Sequence, residues 1–195
     1  MSIMIVLMYM KQIIKMRLYY TTTARANVPQ QKASQSLGGF KSSSSIPNST
    51  FGNLFSDVSL LTIENDLPEY IGIILVNELE AEAVNIKLWL EKGEHSICNY
   101  RLAVVELSST NEIEMLPSIN SRPLYAEFYE SYSLDDAINI PSMLPNEQYG
   151  IWIERTFNKN EDSLKFRNDC DKLYNSPELF EDKIEEIEIK IQFNE

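Results

Sequence analysis

At 195 residues, with 44% hydrophobic and 24% charged side chains, the chain has the composition of a folded protein of one domain plus spare length. Collagen-like, wholly disordered and multi-span membrane architectures are excluded. The formal net charge is -12, from 17 basic and 29 acidic residues. It is segregated: Lys11, Lys15, Arg17, Arg25, Lys32 and Lys41 are the only charged side chains before Asp57. An acidic body repels nucleic acid and anionic membrane, so neither is an expected partner. A basic segment on such a body suits contact with an acidic surface, its own or that of a neighbouring copy.

The chain opens on the apolar run Ile3–Met10. It is too short to span a bilayer, which takes ~20 apolar residues. Its positive charges follow the run, whereas a signal peptide carries them in front. Such an octamer needs a docking surface. Residues 21–56 are rich in Thr, Ser, Gln, Asn, Gly and Pro, with Leu37, Phe40, Ile46, Phe51, Leu54 and Phe55 spaced through them. Gly38-Gly39 permits backbone conformations closed to other residues, and Pro47-Asn48 marks a turn. We therefore expect residues 1–56 to form an extended basic N-terminal arm, anchored at intervals by Leu37, Gly38, Gly39, Phe40, Ile46, Pro47, Leu54 and Phe55 on a neighbouring subunit.

From residue 57 the pattern becomes that of strands. Tyr70–Val76 is apolar on both faces, as a central strand is. Val84–Leu90, Tyr149–Ile153 and Ile187–Phe193 alternate apolar with polar residues, the mark of half-buried strands. Tyr100–Leu107 and Leu124–Phe128 are further strand candidates, and Leu60–Glu64, Ile113–Leu116 and Ala137–Ile140 are shorter ones. The alternation and the turn signals between runs argue for a mainly β fold, an immunoglobulin-like antiparallel β-sandwich over residues 57–195. Residues 158–183 break the pattern. Phe166, Cys170, Leu173 and Tyr174 share a helical face, and Ser176-Pro177 suits a second helix start. We expect a helical excursion there, before the last strand.

Chemistry is sparse. His95 is the only histidine, so a two-histidine metal site is excluded, and His95 with Cys98 falls short of a zinc set. Asn168, Asp169 and Asp171 lack the glycine and distal glutamate of a calcium loop. Cys98 and Cys170 read as free thiols. Glu127 and Glu130 fall on opposite faces of one strand, unsuited to joint acid–base work. No phosphate loop or nucleophile–histidine dyad is present. The expectation is a non-enzyme with no cofactor and no metal. Trp89 and Trp152 each lie on the polar face of their strands, as interface anchors do, or as residues covered by another part of the same chain.

Several short motifs, taken together, resemble virion structural proteins of crAss-like bacteriophages. They are Ser36-Leu37-Gly38-Gly39, Ser42-Ser43, Ile46-Pro47-Asn48 and Asn53-Leu54-Phe55. In the body they are Ile71-Gly72 with Asn77, Pro123-Leu124 with Ala126-Glu127-Phe128, and Gly150 with Trp152-Ile153-Glu154-Arg155. The resemblance spans most of residues 16–157. It implies a small β-sandwich ring component of the tail barrel, present in many copies and without catalysis. It implies partners that are copies of itself in a homomeric ring and adjacent virion proteins, the portal or other tail rings. Its place would be the virion, assembled in the bacterial host cytoplasm. The alternative is a carbohydrate- or protein-binding accessory sandwich of a virion with Trp89 or Trp152 as its platform.

Overall fold

Strand Met16–Thr22 (β1) lies inside a sheet, not on an arm. The computed structural model describes residues 16–30, 32–47, 54–55, 67–92, 98–157 and 187–194. After β1, a single 3-10 turn at Ala33–Gln35 leads to β2 (Gly39–Ser45). Then come β3 (Glu69–Asn77), β4 (Val84–Lys92), β5 (Cys98–Val105), β6 (Glu112–Ile113), β7 (Ile138–Ile140), β8 (Gln148–Phe157) and β9 (Ile187–Asn194). They form a six-stranded sheet in the order β5-β8-β3-β1-β2-β6 and a three-stranded sheet in the order β7-β4-β9. Every strand pair is antiparallel.

The main core lies between the sheets. Ile71, Ile73 and Leu75 of β3, Ile151 and Ile153 of β8 and Leu102 of β5 meet Ile86, Leu88 and Leu90 of β4. Ile187, Ile189, Ile191 and Phe193 of β9 pack against the same cluster and stay half-buried. β3 is buried along its whole length. A strand buried on both faces also needs partners on both edges, because an unpaired backbone group away from water is costly. β8 supplies one partner. β1 supplies the other, from Met16 opposite Asn77 to Tyr20 opposite Ile73.

One side of the sandwich is stitched shut by residues 129–132. Leu102 of β5 and Tyr129 exchange both backbone hydrogen bonds, at 2.9 and 2.8 Å. Two residues on, Leu90 of β4 donates its N–H to Ser131 O at 2.8 Å. The Tyr132 hydroxyl accepts from Tyr100 N–H and donates to Tyr100 O, at 2.8 and 2.6 Å. This short run thus joins β5, at the edge of the large sheet, to β4 just beyond the end of its pairing with β7.

The strands expected at Tyr70–Val76, Val84–Leu90, Tyr149–Ile153 and Ile187–Phe193 are present, as is Tyr100–Leu107 up to Val105. The expected separation of an arm at 1–56 from a sandwich at 57–195 does not hold for the described part of the arm: β1 and β2 are integral to the larger sheet. Leu124–Phe128 is no strand; a turn at 124–125 is followed by irregular backbone with one bridge at Tyr129. Of the strand expected at Ile113–Leu116 only Ile113 pairs, together with Glu112 before it. The Ile3–Met10 octamer, the Leu60–Glu64 strand, His95 and the helical excursion at 158–183 with Cys170 lie outside the described residues.

Candidate functional site

The face of the large sheet turned away from β4 carries a second cluster: Tyr70, Ile74, Val76, Ala103, Ile113, Leu116, Ala126 and Trp152. Two crossing segments cover it, residues 36–39 and 112–116. Both need glycine beneath or within them. A Cβ on Gly72 would lie 2.7 Å from Ile113 Cδ1, and one on Gly150 would lie 2.2 Å from Ile113 Cγ2. Gly38 has φ +91° and room for no side chain, since its Cβ would sit 1.8 Å from the Glu114 carbonyl oxygen. The crossing is closed by Leu116 N–H donating to Leu37 O at 2.8 Å.

Where β1 parts from β3, Ser36 fills the gap. Its hydroxyl donates to Gly72 O at 2.6 Å and accepts from Thr21 N–H at 2.8 Å. Its own carbonyl accepts from Gly72 N–H at 2.8 Å. Thr21 Oγ1 donates to Gly72 O at 2.9 Å and accepts from Gly38 N–H at 3.0 Å. Thr21 and Ser36 are fully buried, and the closed network satisfies the backbone groups that a ladder would otherwise have paired. Among the described residues, no buried side-chain nitrogen or oxygen is left without a hydrogen bond.

Seven of the residues expected to anchor on neighbours are therefore committed inside this chain. Leu37 packs on the outer cluster. Gly38 and Gly39, at φ +91° and +93°, shape the crossing and the start of β2. Ile46 donates its N–H to Leu18 O at 2.8 Å and packs on the main core with buried Leu54 and Phe55. Phe55 lies under the Arg155 guanidinium at 4.4 Å. Trp152 is 1% exposed, because the crossing and Ala126 cover it, and so it is no binding platform. The face expected to be polar carries this second apolar cluster, and the cover of Trp152 comes from the same chain. Phe40 is half-buried in β2, Pro47 is exposed, and Trp89 is half-buried on the outer face of β4, opposite Lys190 of β9.

The ionisable side chains inside the sandwich are spent on cross-strand partners. Arg155 Nε donates to Glu69 Oε2 at 3.0 Å, joining β8 to β3 at the end of the main core. On the opposite face, the buried Glu154 carboxylate accepts from the Tyr70 hydroxyl at 2.9 Å and pairs with Arg101. Burial, and then the hydrogen bond to Glu154, push the Tyr70 phenol up to about 12. Phe128 lies beside Tyr70 with Arg101 and Arg122 over its ring, which fastens the 119–128 loop to the sheet.

That loop holds a feature not read from the sequence. Pro123 and Ala126 point inward, and the turn between them thrusts Leu124 and Tyr125 into solvent, 79% and 86% exposed. The strand expected at Leu124–Phe128 would have pointed Leu124 the same way as Ala126; the turn faces it outward instead. Pro123 before it was the available sign of a turn. Among the described residues, no three His, Cys, Asp or Glu side chains are grouped to hold a metal ion, and no helix is long and apolar enough to cross a membrane. No protein-family model matches the chain, and no curated protein matches it.

Proposed function

We propose that this protein is a structural virion component, an immunoglobulin-like sandwich that assembles into a homomeric ring in the head-to-tail or tail region of a bacteriophage. The reading rests on the resemblance to virion proteins of crAss-like phages. One observation supports it above the others: the matching residues converge on the framework. Ser36, Gly38 and Gly72 form the buried network at the split between β1 and β3. Gly150 and Trp152 underlie the crossing segments. Asn77 ties the β3–β4 connection by donating to Ala81 O and Met143 O at 3.1 and 2.8 Å, while its Oδ1 accepts from Leu79 N–H. Residues that hold a shape and line no cleft suit a building block. In this reading the protein turns over no substrate, and its partners are further copies and adjacent virion rings.

The mass of the full-length chain in solution tests the reading. A ring former gives one closed stoichiometry, seen as a single species by native mass spectrometry and as annuli by electron microscopy. A chain that is monomeric or dimeric alone, and that stays so when mixed with purified phage portal and tail proteins, rules the ring out.

A further inference from the structure

Among the described residues, one long strand edge is unguarded. The outer edge of β5 is held by residues 129–132. That of β2 is held by residues 27–28, where Asn27 N–H donates to Lys41 O at 2.8 Å and Ser43 N–H donates to Val28 O at 3.2 Å. β9 is different. Leu88 and Leu90 of β4 spend backbone groups on the side away from it: Leu90 N–H donates to Ser131 O, and Leu88 O accepts from the Ser131 hydroxyl at 3.2 Å. Opposed residues in an antiparallel ladder exchange both bonds or neither. Ile191 and Ile189, opposite Leu88 and Leu90, therefore turn their own N–H and C=O outward, where no described strand meets them. A long open edge of this kind is one that folded proteins cover.

The 129–132 run also fixes the side on which that edge lies. It bonds to β5, at one flank of the large sheet, and to β4 on its β7 side. β9 thus lies towards the other flank, over the β1 half of the large sheet. Apolar cover is thin there. Leu18 of β1, Ile46, and Ile187, Ile189 and Ile191 of β9 face the main core and are only half-buried.

The octamer Ile3–Met10 suits this place. It has as many residues as β9, carries no charge, Pro or Gly, and includes β-branched Ile3, Ile5 and Val6. It is also within reach. The partners of β1 run out at Met16: β3 stops at Asn77 opposite it, and β2 stops at Ser45, with Pro47 beyond. Asn77 Nδ2 and Ala83 N–H both donate to Met143 O, at 2.8 and 2.9 Å, so β4 starts at the Asn77 end. Val84 there faces Asn194 of β9, which puts Met16 and Asn194 at one end of the sandwich. Residues 11–15 extend to ~16 Å at ~3.3 Å each, against ~10 Å between packed sheets and ~4.8 Å between strands. We propose that Ile3–Met10 pairs with the outer edge of β9 in the same chain, as a fourth strand of the small sheet parallel to β9, and covers Leu18 and Ile46. This docking is independent of the ring reading.

The test uses the full-length chain in a Cys170→Ser background. Met8→Cys combined with Gln192→Cys, oxidised at high dilution, should form a disulfide within one chain; a one-residue difference in register transfers it to Leu7→Cys. The control is Met8→Cys with Asn139→Cys. Asn139 and Gln192 are both exposed and flank Lys87 in one row of the small sheet, but Asn139 stands at the far edge, on β7, and should not link. Amide hydrogen exchange gives a second reading. Ile189 and Ile191 should exchange at least about tenfold more slowly in the natural chain than in Val6→Pro, whose proline is barred from a regular ladder, while the β3 amides exchange alike in both. If Val6→Pro unfolds the chain, the cross-links decide. Equal exchange at Ile189 and Ile191 in a folded Val6→Pro chain, equal linking to Gln192 and Asn139, or no link from either Leu7→Cys or Met8→Cys overturns the proposal. A link formed only between chains also overturns it and leaves the ring reading standing. A monomer that carries the link within itself does the reverse.

Discussion

Replacing Gly38 with alanine tests whether the segment before β2 is built into the fold or merely laid upon it. At φ +91° any side chain is strained, at about 1–2 kcal/mol. The new Cβ would also stand 1.8 Å from the Glu114 carbonyl oxygen. A backbone atom cannot swing aside as a side chain can, so residues 37–40 and 112–116 must move apart, with an overpacking cost of about 1–3 kcal/mol. Separation stretches the Leu116-to-Leu37 hydrogen bond, worth about 1 kcal/mol. The expected loss is about 3–6 kcal/mol, a large share of the ~5–15 kcal/mol that holds a domain together.

The assay is equilibrium urea unfolding in a Trp89→Phe background. Trp152, beneath the crossing, is then the only indole, since the chain has two tryptophans. With a slope of ~2 kcal/mol per M, the midpoint should fall by about 1.5–3 M. Gly72→Ala is the internal comparison. Its Cβ would meet side-chain atoms, Ile113 Cδ1 and the Trp152 ring, at 2.7 and 2.9 Å, and a rotating Ile113 relieves part of the clash. A loss of about 1–2 kcal/mol is expected there. If Gly38→Ala costs less than about 1 kcal/mol, the crossing is loose and the reasoning fails.

Two further outcomes follow from the same structure. Removing residues 1–22 deletes β1, exposing the β3 edge and taking Met16, Leu18 and Tyr20 from the sandwich. At about 1.5–3 kcal/mol for each large side chain, the truncated chain should lose its cooperative thermal transition and aggregate in size-exclusion chromatography; a sharp, unshifted melt would contradict this. Tyr70 gives a pH dependence whose sign is fixed. Its phenol keeps its proton to about pH 12 in the folded chain and to about pH 10 when unfolded, so the stability it contributes is complete below pH 10 and is lost as pH rises towards 12. Tyr70→Phe should flatten the fall of the urea midpoint over that range, and parallel curves for the two proteins would refute the assignment.

Strands β4, β8 and β9 are legible because apolar and polar side chains alternate along them against a core, and β3 and β5 because their runs are apolar on both faces, as in strands buried on both sides. β1 and β2 are not. β1 reads Met-Arg-Leu-Tyr-Tyr-Thr-Thr, with its inward residues Met16, Leu18 and Tyr20 hidden in a run already apolar and basic. β2 reads Gly-Phe-Lys-Ser-Ser-Ser-Ser and has almost no apolar pattern. What holds it is backbone pairing with β1 and small hydroxyls that cap nearby groups, such as the Ser42 hydroxyl donating to Ser44 O at 3.1 Å. Pairing of that kind leaves little trace in side-chain composition. The reverse error occurred at Leu124–Phe128, where an extended loop pressed on a sheet produced the same alternation without a ladder.

The same distinction explains why the expected interface residues moved inside. Spaced apolar anchors separated by small polar residues are what an arm needs to lie along a foreign surface. They are equally what a chain needs to cross its own sheet, and only geometry separates the two. Here the geometry is specific. Gly72 and Gly150 remove two side chains from the middle of a sheet face otherwise crowded by Tyr70, Ile74 and Trp152. A glycine in a strand interior weakens the strand, so two of them under one crossing point make sense only if the chain that fills the space contributes more than they remove. Ile113 fills both places, and Ser36 and Gly38 bring the other crossing segment down to the same level. The cover is thus complementary to its own sheet at the scale of single methyl groups. Among the described residues, the large apolar side chains left exposed, such as Leu124 and Tyr125 on the 119–128 loop and Leu144 beyond it, are those that no such crossing covers, and they follow from no local pattern in the sequence.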